Sequence, residues 1–409
     1  MSRLFVWVAM ADGTLRLAGE LATTDPVANS GRFQSEFEYA PDWLQGNASF
    51  PLDPQSLPLR TTSRRFNAEL FNPPLSVFDD ALPDDWGRRL LAAALKMEGR
   101  KSSPAEMLLR MRGAGTGALL FSETVAPPQP AASMQSKSLP ALLVAAEEFE
   151  TGKLPPEDDF RKLLEGSSRA GGARPKALVH DSEGEWLVKF PSPSRDGPHD
   201  VVGLEATCLE LARHAGLEVP QSRLQQIGRR RTLMVRRFDV TPQQGRLHMV
   251  SLRTLCLERP GIYVQAYSDV AQAIRKHSAA PKLDVATLFR HMVFNAAVGN
   301  VDDHLKNFWV LAKSEGFRLA PAFDLLPDIS GRAEHTLSFR SSFACPNHSD
   351  LTQIADEWKI SGSPEIIARV TNSVRTFTTT AKKFAVRGTA SLEAIAEDIR
   401  RRLKIMAAS

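Results

Sequence analysis

The run VATLFRHMVFNAAV, followed at once by GNVDDHLKNF, constrains this chain more than any other stretch. Val285, Leu288, Phe289, Met292, Val293 and Ala296 recur at the i, i+3, i+4, i+7, i+8, i+11 spacing of a buried helical stripe. The helix must stop near Gly299-Asn300, and DDHLKN then forms an irregular loop before the strand FWVLA. A polar loop fixed between a buried helix and a buried strand is rigidly placed, which suits catalysis.

At 409 residues the chain exceeds one typical core, so two or three subdomains are expected. Its 43% hydrophobic and 24% charged residues are those of a soluble globular protein. The cysteines, Cys208, Cys256 and Cys345, lack CxxC spacing. They exclude a disulfide framework and a cysteine-rich zinc site, and they fit a reducing cytosol. The apolar run in MSRLFVWVAMADG is too short for a signal peptide, and none approaches the ~18 residues of a membrane span. The formal charge is +4, with basic clusters RRRTLMVRR (229–237) and RRRLK (400–404) that suit a solvated face or a polyanion contact.

Residues 1–122 mix strands (FVWV, LRLAGEL, FQSEFEYA) with helices (84–95 and 104–111), an N-terminal α/β subdomain. ETVAPPQPAASMQSKSLP (123–140) reads as a linker. Residues 141–250 alternate glycine-rich turn, strand (EWLVKF), helix (203–217) and strand (TLMVRRFDV), a nucleotide-binding lobe. Residues 251–409 are mainly helical, and 363–374 and 391–406 each open on a serine of N-cap type.

The polar loop can be read chemically. An aspartate can take a proton from a hydroxyl nucleophile, a lysine can neutralise phosphate, and an asparagine oxygen can ligate magnesium. Asp302 and Asn307 stand five apart, as in a protein-kinase catalytic loop. Asp324 follows a hairpin-like turn at Ser314–Gly316 and supplies a second metal ligand, enough for magnesium when ATP phosphates and waters complete the shell. Lys189 ends a strand and Glu205 opens the next helix, the pair with which kinases hold phosphates. EGSSRAGGARPKALV lets backbone N–H groups approach a phosphate, although it lacks Walker A spacing. His304 is read as a structural residue of the loop, Lys306 as neutralising phosphate, and Cys208 as core.

On SSRAGGARPKA (167–177), WLVKFPS (186–192), MVRRFD (234–239), GNVDDHLKNF (299–308) and PAFDLLPD (321–328), the chain resembles the HipA family, serine/threonine kinase toxins of type II toxin–antitoxin systems. FDDALPDDWGRRLL (78–91) and LLRMRGAGTGALLF (108–121) resemble that family's first subdomain. The resemblance implies a two-lobed, protein-kinase-like α/β (α+β) fold with a mixed N-terminal lobe and a mostly helical C-terminal lobe. It implies Asp302 as the catalytic residue, ATP and Mg2+ as cofactors, and Asn307 and Asp324 as metal ligands. Nucleotide contacts fall on Gly171, Gly172, Ala173, Arg174, Pro175, Lys176, Lys189, Glu205, His304, Leu305, Lys306, Asn307, Phe323 and Asp324. Arg236, Arg237 and Phe238 take the hinge that borders the adenine. Ser167 and Ser168 are the autophosphorylation candidates, while the aligned position itself carries Arg169. Implied partners are a HipB-like helix-turn-helix antitoxin, operator DNA through that complex, and a translation component such as an aminoacyl-tRNA synthetase. Implied too are a cytoplasmic location and no membrane. Two other classes compete. A nucleotide-binding corepressor would not need every catalytic position filled, and a metal phosphohydrolase using Asp302, Asp303 and His304 would need additional histidine ligands that His291, His335 and His348 do not supply at motif spacing.

Overall fold

The apolar period is realised as the helix Pro281–Val298, whose six stripe residues are each at most 2% exposed. It lies deeper than a one-sided stripe requires, because every residue from His291 to Asn300 is buried. The helices Tyr267–His277, Ser363–Arg375 and Thr389–Ala407 pack around it. Asp284 in its first turn accepts from Ser278 Oγ (2.6 Å), the Leu319 N–H (2.9 Å) and Arg318 Nη2 (3.0 Å), joining its start to the strand Gly316–Leu319. Gly299 ends it at φ 75°, a left-handed conformation that glycine adopts without a Cβ penalty.

The computed structural model of the chain describes residues 2–24, 34–59, 65–67, 76–83, 85–97, 99, 103–111, 115–129, 134–167, 174–257 and 266–408. The chain divides into two compact units. The first comprises Met1–Lys189, Arg236–Tyr263 and Leu311–Gly316, and the second Phe190–Val235, Val264–Val310 and Phe317–Ser409.

In the first unit an antiparallel sheet runs in the order Arg65–Asn67, Ser35–Tyr39, Leu15–Thr23, Ser2–Ala9, Leu119–Ser122. Alternation buries Ser35, Phe37 and Tyr39 on one face of their strand. The helix Asp85–Met97 buries Trp86, Leu90, Leu91, Ala94 and Leu95, and Ser103 caps Pro104–Arg110 by accepting from the Glu106 N–H (3.3 Å). The proline-rich segment 123–140 becomes regular from Met134. Met134–Gln135 pairs in parallel with Lys176–Asp181, a turn of 3-10 helix follows, and the helix Leu139–Glu150 begins. Lys176–Asp181 pairs antiparallel with Gly184–Lys189.

Two buried carboxylates tie distant motifs within this unit. Asp80 accepts from the Ser251 N–H (2.9 Å), Ser251 Oγ (2.7 Å) and Thr254 Oγ1 (2.8 Å). Asp239 takes the Arg237 fork through Nε (3.0 Å) and Nη2 (2.6 Å), and it accepts from the Gly117 N–H (2.7 Å). Arg237 Nη2 also donates to the Gly115 carbonyl (3.0 Å). The segments MVRRFD and RGAGTGALLF are thus bonded to one another.

The second unit is mainly helical. Its helix Val201–His214 starts two residues before the expected 203, with Asp200 accepting from the Gly203 N–H (3.3 Å). Neither expected serine cap forms. Ser363 is the first residue of its helix, behind Gly362 at φ 68°, and Thr389–Ala407 begins behind Gly388 at φ 83°. In both cases a left-handed glycine turns the chain into the helix, so no side-chain cap is made. Ser391 instead bonds His199 Nδ1. Among the described residues no helix is long and apolar enough to cross a membrane.

Candidate active site

Gly299 and Asn300 both donate backbone N–H groups to the Asn295 carbonyl (3.0 and 2.9 Å), which closes the helix and releases the loop. After His304 the chain makes one 3-10 turn, Leu305–Asn307, with the Asn307 N–H on the His304 carbonyl (2.9 Å). Asn307 is buried, and its Nδ2 donates to the Asp302 carbonyl (2.7 Å). This bond fixes the backbone of Asp302 while the Asp302 side chain stays 72% exposed, with His304 Nε2 4.0 Å from its Oδ2. An exposed carboxylate on an immobilised backbone is the arrangement a proton acceptor needs. Lys306 is half-buried, and its carbonyl accepts from Trp309 Nε1 (2.6 Å). Leu305 lies in the core.

Phe323 and Asp324, both half-buried, lie in the same unit as this loop. The Ala320 N–H donates to the Trp309 carbonyl and the Ala322 N–H to the Glu218 carbonyl (both 2.8 Å), while Leu325 is fully buried. Between these anchors Asp324 sits at φ 57°, a conformation uncommon outside glycine that persists only where its surroundings impose it. The donor set fits magnesium. Nδ2 of Asn307 is spent on Asp302, which leaves Oδ1 as a hard oxygen ligand, and Asp324 offers a carboxylate.

The first unit carries Lys176 and Lys189. Lys189 ends its strand and stands directly across from Lys176 in the antiparallel register. Both are buried, at 8% and 4% exposure, so two ammonium-bearing side chains emerge from paired positions. Pro175 is buried and Arg174 half-buried. Gly171, Gly172, Ala173 and Ser168 lie outside the described residues. Ser167 is the last residue of the helix Glu157–Ser167. At the expected hinge, Arg236 is exposed and Phe238 half-buried, and the Arg237 backbone N–H donates to the Glu185 carbonyl (2.9 Å). The Arg237 guanidinium is committed to Asp239 and Gly115, so its side chain serves the fold. Glu205, in the second unit, is 4% exposed, because its helix is buried on nearly every side through its first half.

Asp303, which the sequence offers only as a residue of a phosphohydrolase site, has a side chain with no exposure. It accepts from Tyr267 Oη (2.6 Å), His335 Nδ1 (3.1 Å), and the backbone N–H groups of Thr336 (2.7 Å) and Leu337 (3.4 Å). Burial, and then the Asp303 carboxylate, hold the Tyr267 hydroxyl well above its usual range, so it remains a donor.

The fold is of the two-lobed, kinase-like α/β class, with a mixed N-terminal and a mostly helical C-terminal part. The HipA of Shewanella oneidensis MR-1, solved in a toxin–antitoxin complex with HipB and operator DNA, matches 98% of this chain and 97% of its own at a TM-score of 0.69 and 17% identity. The HipA N-terminal domain matches residues 15–122 and the HipA-like C-terminal domain residues 168–402, so the chain belongs to the HipA family. A Sinorhizobium fredii protein named "Putative kinase Y4mE" is 26% identical over 83% of this chain and 84% of its own length. A second from that organism, "Putative kinase Y4dM", is 28% identical over 44% of this chain and 47% of its own length.

Proposed function

We propose that the protein is an ATP- and Mg2+-dependent serine/threonine kinase acting as a HipA-type toxin in the cytoplasm. The observation that carries this reading is the exposed Asp302 carboxylate, on a backbone whose carbonyl the Asn307 amide holds, in a loop that the buried helix and strand fix at both ends. In the proposed reaction, Asp302 accepts the proton of a serine or threonine hydroxyl. The hydroxyl oxygen bonds to the γ-phosphorus as the bond to the β,γ-bridging oxygen breaks, and ADP departs with that electron pair. Lys306, Lys189, Lys176 and Arg174 are assigned to phosphate charge. Arg236, Phe238 and the Arg237 backbone are assigned to the adenine side. Asn307 and Asp324 would hold magnesium, which supplies charge neutralisation on the phosphates.

The proposed partners are a HipB-like antitoxin and, through it, operator DNA. The complex in which the Shewanella relative was solved supports them. A translation component is proposed as substrate, and Ser167 or Ser168 as the position of self-modification. The test is transfer of labelled γ-phosphate to the protein itself and to cell extract. Asp302→Asn should reduce transfer by about a hundredfold or more, the range of general-base catalysis, and chelation of divalent ions should abolish it. Transfer unaffected by Asp302→Asn removes this reading. Nucleotide binding without transfer favours a corepressor.

A further inference from the structure

Asp302 is exposed, so its direction is set by what fixes its neighbours. On one side the Val301 carbonyl accepts from Thr336 Oγ1 (3.1 Å) and the Thr336 N–H (3.2 Å). On the other, the wholly buried Asp303 carboxylate takes donors from Tyr267, His335 and the 336–337 backbone. The chain of bonds continues outward. Tyr267 Oη accepts from Asn295 Nδ2 (3.1 Å), and Asn295 Oδ1 accepts from Asn300 Nδ2 (3.1 Å). His335 Nε2 lies 3.2 Å from Arg402 Nη1, and Arg402 Nε donates to Asp398 Oδ2 (2.6 Å).

The proton positions follow from chemistry. A guanidinium only donates, so His335 Nε2 must be the acceptor and Nδ1 must carry the hydrogen that faces Asp303. Arg402, from the last helix of the second unit, thereby selects the tautomer that grips the loop. Gly299 makes room for it, since a Cβ there would lie 2.8 Å from Arg402 Nε.

We infer that Asp303, with Tyr267, His335 and Arg402, is a positioning assembly that aims Asp302, so that the final helix governs the geometry of the catalytic loop. The inference rests on the kinase reading for its effect on turnover. Its effect on the loop stands apart from that reading.

The experiment compares the full-length wild type with Tyr267→Phe, and His335→Asn with His335→Ala. It follows hydrogen exchange of peptides across 299–308, with peptides across 363–375 as a reference for global stability, together with steady-state phosphoryl transfer. Tyr267→Phe should raise exchange in 299–308 alone. It should lower kcat by about a hundredfold, the cost of a misplacement near 1 Å, and leave KM for ATP within about twofold. His335→Asn keeps an N–H donor toward Asp303 and should retain more activity and protection than His335→Ala. Loop exchange unchanged in both Tyr267→Phe and His335→Ala overturns the inference, and so does a loosened loop with unchanged kcat. An inactive wild type defeats the kinase reading, and the exchange data then decide on the assembly alone.

Discussion

Replacing Asp239 by alanine should destabilise the first unit severely, and the structure gives the scale. The Arg237 and Asp239 side chains are only 3% and 4% exposed, and the pair is bidentate. Burial pushes the Arg237 guanidinium down, but the charge and bonds of Asp239 outweigh it and hold the group above its usual range. Removing one member of a buried pair strands the other charge, at about 3–5 kcal/mol. The Gly117 N–H also loses its acceptor, which adds about 1–3 kcal/mol. A loss of about 5 kcal/mol is therefore expected, and it should be read in urea by fluorescence of Trp7, Trp86 and Trp186, all in the first unit. The double variant Arg237→Met/Asp239→Leu removes both charges and should cost only about half as much, since the Gly117 N–H is left without its acceptor while the Gly115 carbonyl keeps Arg246 Nη1 as a donor (3.0 Å). A single-variant loss below about 1 kcal/mol, or a double variant as costly as the two singles summed, refutes the reasoning.

Two further outcomes follow from buried groups. Burial lowers His248 and His291 from the ordinary 6.5 to about 4, so the unfolded chain binds protons that the native state refuses. Stability should thus fall as pH drops from about 6.5 to 4, by about 3 kcal/mol for each histidine. Asp53, raised by burial from 3.8 to about 6, acts oppositely over its own window, and Asp80, also raised by burial, acts in the same sense as Asp53. Urea midpoints of the wild type and His248→Gln at pH 7 and 4.5 isolate the histidine, and the acid loss should be about 3 kcal/mol smaller in the variant. Separately, Gly299→Ala should cost about 3 kcal/mol, from a left-handed alanine plus displaced Arg402 bonds. Gly362→Ala, at φ 68° with Glu365 Oε2 3.5 Å away, should show only the backbone part, about 1 kcal/mol. Equal losses in the two glycine variants would mean that Arg402 does not crowd Gly299.

What could be read from the sequence was local. The period of Val285 to Ala296 and the glycine that follows announce a buried helix and its stop, and both depend on spacing alone. The hairpin at Ser314–Gly316 is likewise present, between Trp309–Lys313 and Gly316–Leu319. The serine caps failed because serine before an apolar run signals a helix start without saying which residue turns the backbone, and Gly362 and Gly388 do so here. The buried role of Asp303 is not legible because its donors lie 36, 32 and 33 positions away, at Tyr267, His335 and Thr336, a separation that no spacing rule reaches. Arg236 and Arg237 look alike in the sequence. Only the register that sets Arg237 beside Asp239 and Gly115 divides a surface cation from a structural one.

The interleaving of the two units bears on how the molecule is made. The first unit takes its last residues from Leu311–Gly316, and the second begins at Phe190 and runs to the end of the chain. A ribosome therefore cannot release one finished half before starting the other. The early strands must wait, partly assembled, until Leu311–Gly316 has been translated. A nascent chain cut short before that point would lack part of both units, so it should complete neither.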